Sequence, residues 1–166
     1  PAKKEAPNLI FPEIAIGYQR MCFFTDKKST WSYSNENSLN NMQIGIANDT
    51  SIEELNSYIK KNPTQFQYQP YHARYIVQNA QKVLNNRIDA FLFTNNSTVY
   101  ELKKEKLHDK IRNAGCVSKA DIFLAFTPVD HKKSHVNKAI TYFENRMTTL
   151  RKTGEINKVL LNYGIQ

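Results

Sequence analysis

The stretch from Val83 to Tyr100, VLNNRIDAFLFTNNSTVY, decides the fold. It closes an apolar stripe, passes Arg87 and Asp89, runs through the apolar Ala90 to Phe93, and breaks into Thr94-Asn95-Asn96-Ser97-Thr98. Just upstream, Ile76, Val77, Ala80, Val83 and Leu84 fall at helical spacing, while IDAFLF is the short continuous apolar run of a buried strand. The next residues, STVYELKKEKL, predict a short helix, so the stretch joins helix to strand to helix.

The same alternation continues outward on both sides. After Pro63, TQFQYQ alternates Phe66 and Tyr68 with polar residues, as a half-buried strand does. Before it, SLNNMQIGIANDTSIEELNSYIKKN predicts a strand at Met42 to Ala47 and a helix that places Ile52, Leu55 and Ile59 on one face. Thr50 or Ser51 would cap that helix, with Glu53 or Glu54 completing a capping box. Earlier still, IAIGYQRMCFF (Ile14 to Phe24) predicts a strand that feeds the polar loop TDKKSTWSYSNENS, and DIFLAF (Asp121 to Phe126) predicts a later one. From Ser134 onward, Val136, Ala139, Ile140, Phe143, Met147 and Leu150 form one helical stripe. Gly154 interrupts it, and Ile156, Val159, Leu160 and Tyr163 form a second. Strands alternating with helices predict an α/β fold with a mostly parallel, helix-covered sheet and a closing helix pair.

Composition narrows the function. With 166 residues, 40% of them hydrophobic, the chain can bury a substantial core. Its net charge of +8 raises the alternative of a basic nucleic-acid-binding α/β domain. The lysines, however, occur as scattered pairs (Lys3-Lys4, Lys27-Lys28, Lys60-Lys61, Lys103-Lys104, Lys132-Lys133), which suits solvated surface better than a phosphate-binding stripe. No run of eighteen apolar residues and no signal-peptide core is present, so a soluble chain is expected, any export signal having been removed or not included. Cys22 and Cys116 lack zinc-site spacing and leave two alternatives, a disulfide in an exported protein or two buried thiols. No nucleophile-elbow, phosphate-loop, dinucleotide or metalloprotease motif occurs, and His131 and His135 flank a helix start rather than sharing a helix face. No enzyme activity, cofactor or metal is expected.

In open α/β sheets, ligands bind beyond the carboxyl ends of the strands, where helix N-termini present free N–H groups. Two clusters occupy such places: Asn48-Asp49-Thr50-Ser51 and Thr94-Asn95-Asn96-Ser97. Both are also the residue types of ordinary caps and turns.

Three segments resemble one family in order: SLNNMQIGIANDTSIEEL, VLNNRIDAFLFTNNSTVYEL and VNKAITYFENRMTTLRKTGEINKVLLNYG. Each is similar to a segment of type 2 periplasmic solute-binding proteins, in the branch of amino-acid receptors of ABC importers. The resemblance implies a periplasmic-binding-protein-like lobe with two hinge strands and a C-terminal helix pair. Residues 1–25 would end lobe one and form the outgoing hinge, 26–119 the complete second lobe, 120–128 the return hinge, and 129–166 the C-terminal helices of an incomplete first lobe. It further implies a periplasmic location, capture of a small polar solute by hinge closure, and a membrane permease or sensor as partner. Asp49, Thr50, Ser51, Thr94, Asn95 and Asn96 would touch the ligand. This sequence departs from the family at Glu5, near the usual carboxylate-binding arginine, at Thr94, where an aspartate usually holds the ligand ammonium, and at Asp49, where a glycine is usual. Those departures point to a neutral polar ligand, or to a binding site lost to a sensory or vestigial role, rather than to a free α-amino acid. The hinge mapping also brings Cys22 and Cys116 within bridging distance, and a stripe whose sheet is incomplete implies either a homodimer through the C-terminal helices or a tail folded back on its own lobe.

Overall fold

The computed structural model describes residues 6–48, 50, 52–128 and 133–164. In chain order its elements are β1 (Gly17–Asp26), β2 (Ile44–Ala47), α1 (Asn56–Lys61), β3 (Phe66–Gln69), α2 (Tyr75–Leu84), β4 (Ala90–Thr94), α3 (Asn95–Lys104), β5 (Ile111–Ile122), α4 (Lys133–Lys152) and α5 (Glu155–Asn162). Two compact units emerge: residues 19–119, and residues 6–18 together with 120–164.

The first unit is built on a five-stranded sheet of order β3-β2-β4-β1-β5. β2 runs parallel to both β3 and β4, and β1 runs antiparallel to β4 with Cys22 opposite Phe93 and Phe24 opposite Phe91. Successive strand side chains point to opposite faces, so β1 and β4 each feed two cores. Cys22, Phe24 and Phe91 pack with Tyr75, Ala80 and Val83 of α2 and Leu102 of α3. On the other face Phe23, Ala90 and Leu92 pack with Ile44, Ile46, Ile52, Leu55 and Phe66. Burial on both faces is why AFLF and IGIA read as continuous apolar runs.

Some boundaries differ from the sequence expectation, each for a local reason. The helix predicted from Thr50 or Ser51 begins only at Asn56, and Leu55 at its N-cap makes no side-chain cap bond. Instead the Asn56 Oδ1 accepts from the Ile52 N–H at 3.0 Å, closing a turn that still buries Ile52 and Leu55. The strand predicted at Asp121 to Phe126 starts ten residues earlier, at Ile111, and ends at Ile122; beyond it Phe126 forms an isolated antiparallel bridge with Ile10. β1 is likewise shifted, from Ile14–Phe24 to Gly17–Asp26.

In the second unit α4 and α5 are separated at Gly154, whose φ of 73° is the left-handed conformation that ends helices. The segment before β1 is fastened to α4: Glu144 Oε1 accepts from the Glu13 N–H at 2.7 Å, and Arg151 Nη2 donates to the Ala15 carbonyl at 2.5 Å. Met147 is buried, while Val136, Ile140, Phe143 and Leu150 are half-buried.

Tyr75 supplies a pH-dependent test of the first unit's core. It is fully buried, its hydroxyl finds no hydrogen-bond partner among the described residues, and burial pushes its phenol pKa well up. An unfolded chain ionises a tyrosine at about pH 10. The folded chain holds the proton, so this contribution to stability is complete below that pH and is lost as pH rises beyond it. Tyr75→Phe removes an unpaired buried hydroxyl. The thermal midpoint at neutral pH is therefore expected to stay level or rise, with a shallower decline above about pH 10 than the parent shows. A lower midpoint at neutral pH would contradict this.

Candidate functional site at the carboxyl edge of the sheet

Because β2, β3 and β4 run the same way, their last residues, Ala47, Gln69 and Thr94, lie along one edge of the sheet. β4 passes directly into α3 there, with Thr94 as N-cap in an extended conformation (φ −62°, ψ 131°). A threonine at this position ordinarily caps through its hydroxyl, but Thr94 makes no such bond. Its Oγ1 is buried and has no partner among the described residues. The opening N–H groups of this ten-residue helix therefore lack a side-chain cap from Thr94, and no acidic residue stands in its first turn. Such an end attracts carbonyl, hydroxyl and anionic oxygens.

Asn95 and Asn96 begin α3, and their carboxamides are held in a chain. Asn95 Nδ2 donates to Asn96 Oδ1 at 3.2 Å, and Asn113 Nδ2 of β5 donates to Asn95 Oδ1 at 2.9 Å. Asn113 is fixed in turn by the Gly115 N–H, which donates to its Oδ1 at 2.8 Å. A disulfide joins Cys22 to Cys116, the residue after Gly115, and so staples β5 to β1 one position from Thr94 in the β1–β4 register. These bonds orient the amides before any ligand arrives.

The other cluster is described in part. Thr50 is half-buried, and its N–H donates to the Ala47 carbonyl at 3.4 Å; Asn48 donates from its N–H to the Gln69 carbonyl at 2.9 Å. Asp49, Ser51 and Glu5 lie outside the described residues. Thr50 and the Thr94–Asn96 group thus share one edge of the sheet, at the ends of adjacent strands.

One residue of this edge escaped the sequence reading. Tyr71 follows β3 and is exposed, yet its ring stacks on Phe93 of β4, with centroids 5.4 Å apart and planes at 24°. Its only local signal is an aromatic residue after Pro70 in a polar loop, which nothing nearby distinguishes from a solvated side chain.

Two concavities lie elsewhere. One of about 690 Å³ runs along α4 between Ser134 and Asn145, and one of about 620 Å³ is lined by Asn40, Asn41, Gln43, Asn62 and Gln65. The first follows a single helix face. The second has its amides engaged locally: Gln65 Nε2 donates to the Leu39 carbonyl and Asn62 Nδ2 to the Tyr58 carbonyl. Neither reaches the strand ends, where an uncapped helix start and oriented amides converge.

No protein-family model and no curated protein sequence matches the chain. Solved structures do match in fold. The second substrate-binding domain of a putative amino-acid ABC transporter from Streptococcus pneumoniae shares 15% identity at a TM-score of 0.63, covering 98% of this chain and 67% of its own. A probable amino-acid ABC transporter extracellular-binding protein from Bacillus subtilis shares 14% at a TM-score of 0.67, over 97% and 66%. A histidine kinase sensor domain with similarity to periplasmic binding proteins shares 13% at a TM-score of 0.62, over 96% and 64%. The chain therefore has the periplasmic-binding-protein-like α/β fold and spans about two thirds of the length of these structures.

Proposed function

We propose that this chain, which carries the fold of the substrate-binding domains of amino-acid ABC transporters, is an extracytoplasmic solute-binding protein or a part of one. It captures a small polar solute non-covalently, for transport through a membrane permease or for sensing. It performs no chemistry on that solute. The observation that carries this is the N-terminus of α3, left without a side-chain cap beside a buried, unpartnered Thr94 hydroxyl at the carboxyl edge of the sheet. A buried hydroxyl without a partner costs free energy, and a ligand oxygen or N–H placed there would recover it.

The proposed ligand contacts are Thr50, Thr94, Asn95 and Asn96, together with Asp49 and Ser51. Hydroxyls, carboxamides and backbone N–H groups suit a neutral polar solute. Thr94 offers no charge to an ammonium, so a free zwitterionic amino acid would leave one charge unmet. The Cys22–Cys116 disulfide supports an oxidising compartment such as the periplasm. No helix among the described residues is long and apolar enough to cross a membrane. Among the described residues the pairs Lys27-Lys28, Lys60-Lys61 and Lys103-Lys104 are exposed, which supports solvated surface rather than a nucleic-acid site. Val159, Leu161 and Tyr163, exposed on and just beyond α5, offer a second copy an apolar surface, which light scattering would detect as a dimer.

Calorimetry and thermal-shift measurements against a panel of neutral polar solutes and amino acids test the function. A neutral solute is expected to bind, and Thr94→Val, which keeps the side-chain shape and removes the hydroxyl, should weaken it by about tenfold, or about 1.4 kcal/mol. Unchanged affinity in Thr94→Val, or no binding across the panel, would refute the assignment.

A further inference from the structure

Tyr71 belongs to the segment after β3, yet it stacks on β4, and β2 lies between those strands in the sheet. The loop therefore folds inward across the carboxyl end of β2, toward the start of α3. Beneath Tyr71, Phe93 is half-buried and meets the fully buried Tyr75, with centroids 4.8 Å apart and planes at 44°. Three rings thus climb from the core to the surface. The lowest is fixed by packing, the middle one directly precedes Thr94, and the uppermost is 67% exposed. A loop tyrosine is free to hydrate both ring faces. This one has a face anchored on Phe93 and held in offset stacking, the arrangement that aromatic pairs favour.

We infer that Tyr71 is a stacking platform and that the captured solute presents a flat aromatic or heteroaromatic ring to it. This rests on the solute-binding function proposed above and names the ligand's class. The free face of Tyr71 could in principle take a cation as well. Its surroundings select against one: Arg74 stands exposed on the same loop, and the start of α3 contributes the positive end of a helix dipole. A planar ring that is neutral or bears an anionic group fits all three features.

The probes are benzoate, the equally charged but puckered cyclohexanecarboxylate, and the cation benzyltrimethylammonium, titrated by NMR into the parent, Tyr71→Phe and Tyr71→Ala. Benzoate should bind the parent with ring-current shifts near residue 71. It should bind Tyr71→Phe within about twofold, and Tyr71→Ala about fivefold to tenfold more weakly, since one stacking contact is removed. Cyclohexanecarboxylate should be weaker by a similar factor, and the cation weakest. Because Tyr71 is largely exposed and loses only its stacking contact with Phe93, Tyr71→Ala should stay folded with a thermal midpoint lowered by no more than about 5 °C, which separates lost binding from lost folding. Equal binding of the flat and puckered acids, preference for the cation, indifference to Tyr71→Ala, or no binding of any probe overturns the inference. A panel solute that depends on Thr94 but not on Tyr71 would sink this inference alone. If no solute depends on either residue, the proposed function fails with it.

Discussion

Replacing both Cys22 and Cys116 with alanine is expected to lower the thermal midpoint by roughly 10 °C. The bridge spans a sequence separation of 94 residues, so in the unfolded chain it removes the entropy of a very long loop. The chain-entropy relation gives about 4–5 kcal/mol for such a loop, an upper figure since measured disulfides often deliver less. Each kcal/mol moves the midpoint of a domain this size by about 2–4 °C. A second loss adds to the first, because Cys22 is fully buried in the first core, opposite Phe93 in the β1–β4 register, and alanine leaves its sulfur volume unfilled. Reducing the parent with dithiothreitol should reproduce most of the shift. A shift below about 2 °C, less than 1 kcal/mol on that scale, would contradict the bridge's structural role, as would two free thiols titrating in unreduced, unfolded protein.

The other large effect is expected at Gly45, in the centre of β2. A Cβ there would sit 2.3 Å from Asn79 Oδ1 and 2.9 Å from Ile88 Cδ1. Asn79 is fully buried and its Nδ2 donates to the Tyr75 carbonyl at 2.9 Å, so it cannot turn aside without giving up that bond. Gly45→Ala should therefore cost about 2–3 kcal/mol, combining overpacking with a displaced hydrogen bond. Asn79→Ala in the same chain removes the obstruction, so a double-mutant cycle should show strong non-additivity, with the pair less damaged than the sum of the singles. Purely additive losses would mean that α2 does not pack on β2 as described.

Where the sequence was legible, burial made it so. Ala90–Leu92 and Ile44–Ala47 are buried on both sheet faces, so their apolar runs announced central parallel strands, and α2 showed its period because one face meets Phe91 and Cys22. β5 was hidden for the opposite reason. As an edge strand it buries few of its described side chains, chiefly Ile111 and Ala114, and RNAGCVSKA, before the predicted strand at Asp121, reads as a loop. Gly115 adds to the disguise, with a φ of 124° at a site where a Cβ would meet the Tyr33 carbonyl at 2.6 Å. The start of α1 was misplaced because hydrophobic spacing cannot separate a helix from a turn: Ile52 and Leu55 are buried either way, and the Asn56 side chain decides between them. At the candidate site, Thr94 to Asn96 were visible as a polar break after a strand. Tyr71 was not, because its partner Phe93 is 22 residues along the chain and two strands away in the sheet.

The claim that most needs testing is that solute binds at the carboxyl edge of the sheet. Amide-resolved NMR of the isotope-labelled chain, titrated with the best solute from the panel, tests it directly. The account predicts saturable shifts concentrated at Thr50, Tyr71 and residues 94–98, with the opening N–H groups of α3 moving most. Shifts centred on α4 or on the Asn40–Gln65 concavity, with that edge unmoved, would contradict it.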